Sequence, residues 1–126
     1  MITFKDNLLY TKNNEWAENL GEVIRVGIDD YSQASLGDIV HIDILENGTH
    51  VRAGQPLGEI EATKSVSSIN APVSGVVVRV NEAVKDSPSL VNIDPFGEGW
   101  LAEISPENLS ELSSLMDINA YREYIR

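Results

Sequence analysis

A chain of 126 residues suits one domain with a single modest core, and 42% hydrophobic with 23% charged residues is an ordinary globular balance that argues against disorder. There are 0 cysteines, which excludes a disulfide framework, a thiolate metal site and a cysteine nucleophile; the 2 histidines, His41 and His50, are too few for most histidine-based metal sites. Nine basic against 20 acidic residues give a net charge of −11, which is the wrong sign for a nucleic-acid footprint and suits solubility or encounter with basic protein surfaces.

Apolar runs stay far below the length of a membrane span, and the opening MITFKDNLLY lacks the basic start and apolar stretch of a secretion signal. A soluble, cytoplasmic protein is the expectation. From Met1 to Asn14 the chain is polar, with apolar anchors at Phe4, Leu8, Leu9 and Tyr10. Glu22 to Ile28 then sets Ile24, Val26 and Ile28 on one face and Arg25 on the other, which predicts a strand. Asp29 and Asp30 open a short helical turn, since acidic groups favour a helix N-terminus, and Gly37 is placed to end it. Between Asp38 and Ile44 a second strand alternates, with Val40, Ile42 and Ile44 facing one way and His41 and Asp43 the other. His41 therefore reads as a solvated surface residue. Asn47-Gly48 is a strong turn signal.

The stretch from Gly54 to Asn81 organises the rest. Ile60 and Ala62 alternate with Glu59, Glu61 and Thr63, the pattern of a half-buried strand, and further on Val76, Val78 and Val80 alternate with Val77, Arg79 and Asn81. Lys64 falls between these two apolar systems, at the tip of a hairpin flanked by the small residues Ala62, Thr63, Ser65, Ser67 and Ser68. No phosphate loop, metal cluster or nucleophile with a base surrounds it. It offers an accessible primary amine that another enzyme can modify. Attachment to an alkylamine needs an enzyme supplying both an activated acyl group and a base.

After Asn81, residues 82–99 read as a loop with turns, punctuated by Ser87-Pro88, Asp94-Pro95 and Gly97 and Gly99. Trp100 to Ile104 reads as the last strand. Ser105 is placed to cap a helix with Pro106 in its first position, along which Leu109, Leu112, Leu115 and Met116 recur. A second short helix runs from Asp117, with Tyr121, Tyr124 and Ile125 on one face. Both tail helices read as packing elements. Periodicity alone supports an all-β or α+β domain.

The layout resembles the lipoyl and biotinyl carrier domains: Gly54, Gly58, then Ile60-Glu61 before Lys64, Ala71-Pro72 with Gly75, and a valine-rich strand. More narrowly it resembles the H proteins of the glycine cleavage system, through Tyr10-Thr11-Lys12 before Glu15-Trp16, Val26-Gly27-Ile28 before Asp30-Tyr31, Leu36-Gly37-Asp38, and the run from Ser87 to Trp100. These pieces span nearly the whole chain in order. The resemblance implies a mainly β fold, the barrel-sandwich hybrid of lipoyl domains, with short helices at the edges and C-terminus and residues 1–126 forming a single carrier domain.

The resemblance also implies a function. Lys64 matches the lysine that carries lipoate as an amide, and modification would take the net charge from −11 to −12. In the glycine cleavage cycle, pyridoxal-phosphate glycine decarboxylase passes an aminomethyl group to a lipoyl sulfur, aminomethyltransferase releases ammonia and moves the one-carbon unit to tetrahydrofolate, and dihydrolipoamide dehydrogenase restores the disulfide. Those three enzymes and a lipoate-attaching enzyme are the implied partners of a monomeric, non-catalytic carrier, in the cytoplasm or, for a processed eukaryotic form, the mitochondrial matrix. Glu15 matches the family's glutamate near the aminomethyl amine, with which a carboxylate can pair.

Three positions depart from the family pattern: Asn14 and Ser35 stand where H proteins often carry histidine, and Ser68 where they often carry an acidic residue. They leave room for an alternative, an H-like lipoyl donor or relay for 2-oxoacid dehydrogenases or another lipoyl-dependent system. A biotin carrier is disfavoured because the two methionines, Met1 and Met116, lie far in sequence from Lys64. An interaction module with an unmodified Lys64 is a further class. A true enzyme fits least, since no nucleophile-base pair or metal constellation is recognisable.

Overall fold

The alternating segments become strands that pair antiparallel throughout. In the computed structural model, which describes residues 4–125, the strands are β1 (Leu9–Tyr10), β2 (Glu15–Asn19), β3 (Ile24–Ile28), β4 (Ile39–Ile44), β5 (His50–Val51), β6 (Pro56–Ala62), β7 (Val66–Asn70), β8 (Gly75–Val80) and β9 (Ala102–Pro106). The expected domain limits, 1 and 126, lie outside the described residues. Six strands form one sheet in the order β1-β2-β3-β9-β8-β5, and three form the other in the order β4-β6-β7. The fold is thus mainly β, two antiparallel sheets facing each other with short helices at the edges, as expected.

One apolar cluster joins the inner faces of both sheets. Ile24 and Val26 of β3, Val77 of β8 and Ile104 of β9 come from the larger sheet, and Ile42, Ile60 and Ile69 from the smaller one; all are at most 2% exposed. Each such side chain contributes about 1.5–3 kcal/mol on leaving water. A second, aromatic cluster of Leu8, Tyr10, Trp16, Trp100, Ile118 and Tyr121 sits at the β1–β2 side. There Trp16 donates its indole N–H to the Pro95 carbonyl at 3.0 Å. Gly27 lies beneath that ring, where any Cβ would stand 2.5 Å from it. On the outer face of the larger sheet, Arg25 and Arg79 flank Glu103 across the strands and lie over the Trp100 ring at 4.7 and 5.1 Å.

Strict alternation fails where the register shifts, in β4, in β8 and at the start of β6 between Pro56 and Gly58. β4 shifts register between Ile39 and His41, so Val40 turns out to solvent at 52% exposure and Ile39 takes the inner position. β8 shifts between Val77 and Arg79, burying Val77 and leaving Val78 42% exposed. One extra residue moves a side chain to the opposite face, which a period of two cannot register. The two apolar systems flanking Lys64 also separate: β6 belongs to the smaller sheet and β8 to the larger, and the strand that returns from the lysine is β7.

Helix α1 (Asp30–Leu36) begins and ends where acid and glycine place it. The Asp29 carboxylate accepts from the Ser32 N–H, and Gly37, at φ 78°, closes the helix in a conformation that side chains disfavour. Residues 82–99 are more ordered than the expected loop, containing α2 (Glu82–Asp86), capped by Asn81, and α3 (Leu90–Ile93). Val84 and Val91 anchor them in the core, and it is this burial that stabilises helices too short to persist alone. Ser105 and Pro106 extend β9 instead of opening a helix; the cap is Asn108, and Leu109–Ser114 form a 3₁₀ helix. Helix α4 (Ile118–Tyr124) does start after Asp117, which caps it, and buries Ile118 and Tyr121 while Tyr124 stays half exposed.

Candidate functional site

The β6–β7 hairpin carries Lys64 clear of the sandwich. Its last cross-strand pair is Glu61 with Val66, and the Ala62 N–H donates to the Ser65 carbonyl at 2.8 Å, closing a short turn. Thr63 fastens the tip to the segment after α1: its N–H and its hydroxyl donate to the Asp38 carbonyl at 3.0 and 3.2 Å. The turn is thereby held while Lys64 remains exposed, and among the described residues no hydrogen bond or ion pair engages its amine. A groove of about 400 Å³ runs beside it, lined by Ala34, Ser35, Leu36, Gly37, Asp38 and Thr63. His41 stands exposed on the outer face, across from Glu61.

Glu15 is placed very differently. At the start of β2 it is 1% exposed, and its two carboxylate oxygens accept separate hydrogen bonds, from the Thr11 hydroxyl at 2.7 Å and from the Asn70 N–H at 2.8 Å. Asn70 ends β7, the strand that starts two residues after Lys64, so Lys64 and Glu15 sit at opposite ends of one strand without touching. Four strand steps of about 3.3 Å separate Val66 from Asn70, roughly 13 Å. Burial pushes the Glu15 carboxyl up to about 7, against the two hydrogen bonds, which favour the charged form; the nearby Asp29 carboxylate raises it further.

Behind Glu15 lies a polar network invisible in the sequence. Asp29, 0% exposed, accepts from the Tyr121 hydroxyl as well as from the Ser32 N–H, and Asn14 donates its side-chain amide to the same Tyr121 oxygen at 2.6 Å. Tyr121 stacks on Tyr10 with ring centroids 4.4 Å apart. Burial raises the Asp29 carboxyl, while its Tyr121 and Ser32 donors pull it back; burial also pushes the Tyr121 phenol well above its ordinary range. Asp29 reads from sequence only as a helix opener and Tyr121 only as packing. Their partnership spans 92 residues, and no spacing rule reaches that far.

The three departures occupy three separate places. Ser35 lines the groove beside Lys64. Ser68 lies on the outer face of the smaller sheet, in a row with Glu59 and Asp43. Asn14 belongs to the Tyr121 network and takes the left-handed conformation at φ 67°, which asparagine tolerates better than most residues.

Two antiparallel sheets packed face to face with short helices at the edges form a barrel-sandwich of the lipoyl-domain type. A family model for the glycine cleavage H-protein matches residues 8–126. A probable glycine cleavage system H protein of Thermococcus kodakarensis is 50% identical over 97% of this chain and 92% of its own. The glycine cleavage system H protein of Bacteroides fragilis is 43% identical over 98% of each. The crystal structure of a glycine cleavage system H protein from Mycobacterium marinum superposes with a TM-score of 0.86, at 35% identity, over 96% of this chain and 95% of the other. The chain belongs to the glycine cleavage H-protein family, the lipoyl carriers of the glycine cleavage system, and is a carrier and not a catalyst. Among the described residues no helix is long and apolar enough to cross a membrane.

Proposed function

We propose that Lys64 is the residue that carries lipoate, as an amide of its side-chain nitrogen, and that residues 1–126 act as one monomeric carrier domain in the cytoplasm. The observation that supports this is the exposed amine, unpaired among the described residues, on a turn held by Thr63 and Asp38. Small neighbours at Ala62 and Ser65 leave room for an enzyme to close around the turn, and the Thr63 bonds keep the tip from folding back onto the sheet. When bound, the group supplies the two sulfurs that this cysteine-free chain lacks, for redox and for carriage of a one-carbon amine.

Four enzymes then act on the one protein: a lipoate-attaching enzyme, glycine decarboxylase, aminomethyltransferase and dihydrolipoamide dehydrogenase. The excess of acidic residues favours encounter with basic rims around their active sites. Glu15 serves at the other end of β7, pairing its carboxylate with the amine of the loaded carrier. In the free protein both of its oxygens are already engaged by Thr11 and Asn70, so the ammonium adds to, or displaces, one of those donors.

Intact mass with peptide mapping of protein from its native cell tests the first claim. A lipoyl amide on the peptide containing Lys64 is expected; biotin there, or an unmodified lysine in cells competent for lipoylation, would overturn it. Reconstitution with the glycine cleavage enzymes separates this role from a lipoyl relay to 2-oxoacid dehydrogenases.

A further inference from the structure

We propose that Tyr121, on the C-terminal helix α4, is a positioning residue for Glu15: its hydroxyl, shared between Asn14 and Asp29, fixes the Thr11–Glu15 turn that presents the Glu15 carboxylate. The inference rests on the reading of Glu15 as the group that pairs with the carried amine.

The turn is a small closed unit. Thr11 donates its N–H to the Glu15 carbonyl at 3.0 Å and its hydroxyl to the Glu15 carboxylate, while the Thr11 hydroxyl oxygen accepts from the Asn13 and Glu15 N–H groups, both at 3.2 Å. Such a unit defines its own shape but not its orientation on the sandwich. The β2–β3 pairing of Glu15 with Ile28 and the Asn70 N–H on the Glu15 carboxylate hold its end at Glu15, and three further ties orient the rest. The Asp29 N–H donates to the Asn14 carbonyl at 3.0 Å, Tyr121 bonds the Asn14 amide and the Asp29 carboxylate, and the Tyr124 hydroxyl donates to the Lys12 carbonyl at 3.1 Å. Two of the three come from α4, whose own approach is fixed by the paired backbone bonds between Tyr10 and Met116.

Tyr121 is 0% exposed and stacks on Tyr10, so its ring is held by packing and its hydroxyl is free to act as the node. The Asn14 backbone takes the left-handed conformation at φ 67° within this turn. The groups facing Glu15 are the Thr11 hydroxyl from the turn, the Asn70 N–H from β7 and, as its charged neighbour, the Asp29 carboxylate before α1. Tyr121 thus controls both the seat of the turn and the state of the one carboxylate that repels Glu15.

The test uses Tyr121→Phe, which keeps the stack, and Asn14→Gly, which keeps the left-handed backbone and deletes the amide. In the unlipoylated protein, carbon-13 titration of the Glu15 carboxyl reads its midpoint. Loosening hydrates the carboxylate in both variants, and in Tyr121→Phe Asp29, left without its phenol donor, also holds its proton more tightly and repels less. Both changes lower the midpoint from about 7 toward 4.5. In the aminomethyl-loaded protein, ammonia release is expected to accelerate about tenfold in each variant, the scale of one weakened hydrogen bond to a charged group.

A Glu15 midpoint unmoved in both variants overturns the positioning role. So does wild-type ammonia release in both when Glu15→Gln itself is faster, and that result leaves the Glu15 reading intact. Wild-type release in Glu15→Gln refutes that reading and the inference with it.

Discussion

Lys64 and Glu15 show how one fold gives two ionisable side chains opposite circumstances. Lys64 is exposed and unpaired among the described residues, so Lys64→Arg should abolish acylation while changing stability by no more than about 0.5 kcal/mol, as mass spectrometry and urea unfolding would report. Glu15 is buried, and its raised titration couples it to folding. Between 4.5, its ordinary value, and about 7 the folded protein holds a proton that the unfolded chain has released. Stability from the neutral carboxyl is therefore full below the lower value and is lost as pH rises through the upper one, by about 3 kcal/mol in all. Asp29, also raised, slopes in the same direction. Urea unfolding between about pH 5 and pH 8 should show wild type weakening and Glu15→Gln weakening distinctly less. Equal slopes in the two proteins would contradict the burial argument.

At the scale of elements, β7 connects the site: Lys64 precedes its first residue by two, and its last residue, Asn70, donates to Glu15. The β2–β3 pair supports the other side, and it tolerates no side chain at Gly27 because Trp16 covers that position. Gly27→Ala should destabilise the fold by about 1–3 kcal/mol and shift tryptophan fluorescence, since Trp16 must move off its Pro95 bond. The elements also show what periodicity reads well and badly. β3 and α1 follow their patterns because each is a regular element with its signals inside a few residues. β4 and β8 depart at Val40 and Val78 because a bulge serves the pairing of neighbouring strands, information that lies outside the strand itself. Helices α2 and α3 hide between prolines and glycines, and what stabilises them is the core contact of Val84 and Val91.

For the whole molecule, a net charge of −11 sets long-range behaviour. Exposed charges are screened over about 30 Å at 0.01 M salt and about 10 Å at 0.1 M, so the specificity constant of glycine decarboxylase for the lipoylated carrier should fall steeply across that range. A salt-independent constant would mean that acidity serves solubility alone. Shared core residues from both sheets predict a single cooperative unfolding transition, with circular dichroism and tryptophan fluorescence coincident.

The sequence by itself determined the class of fold, the hairpin tip and the family, because alternating apolar residues, turn signals and an ordered set of short motifs are all local or sequential. The exposed position of Lys64 was legible for the same reason, whereas the Asp38 carbonyl that holds its turn, 25 residues before Thr63, was not. Glu15 could be matched by motif, but its burial, its hold on Asn70 and its raised titration came only with the tertiary structure. So did the place of Asn14, Tyr121 and Asp29 in one buried network. Hydrogen bonds between residues 55, 92 and 107 positions apart depend on how two sheets and a terminal helix pack, and the desolvation that gives those bonds their strength exists only once they have packed.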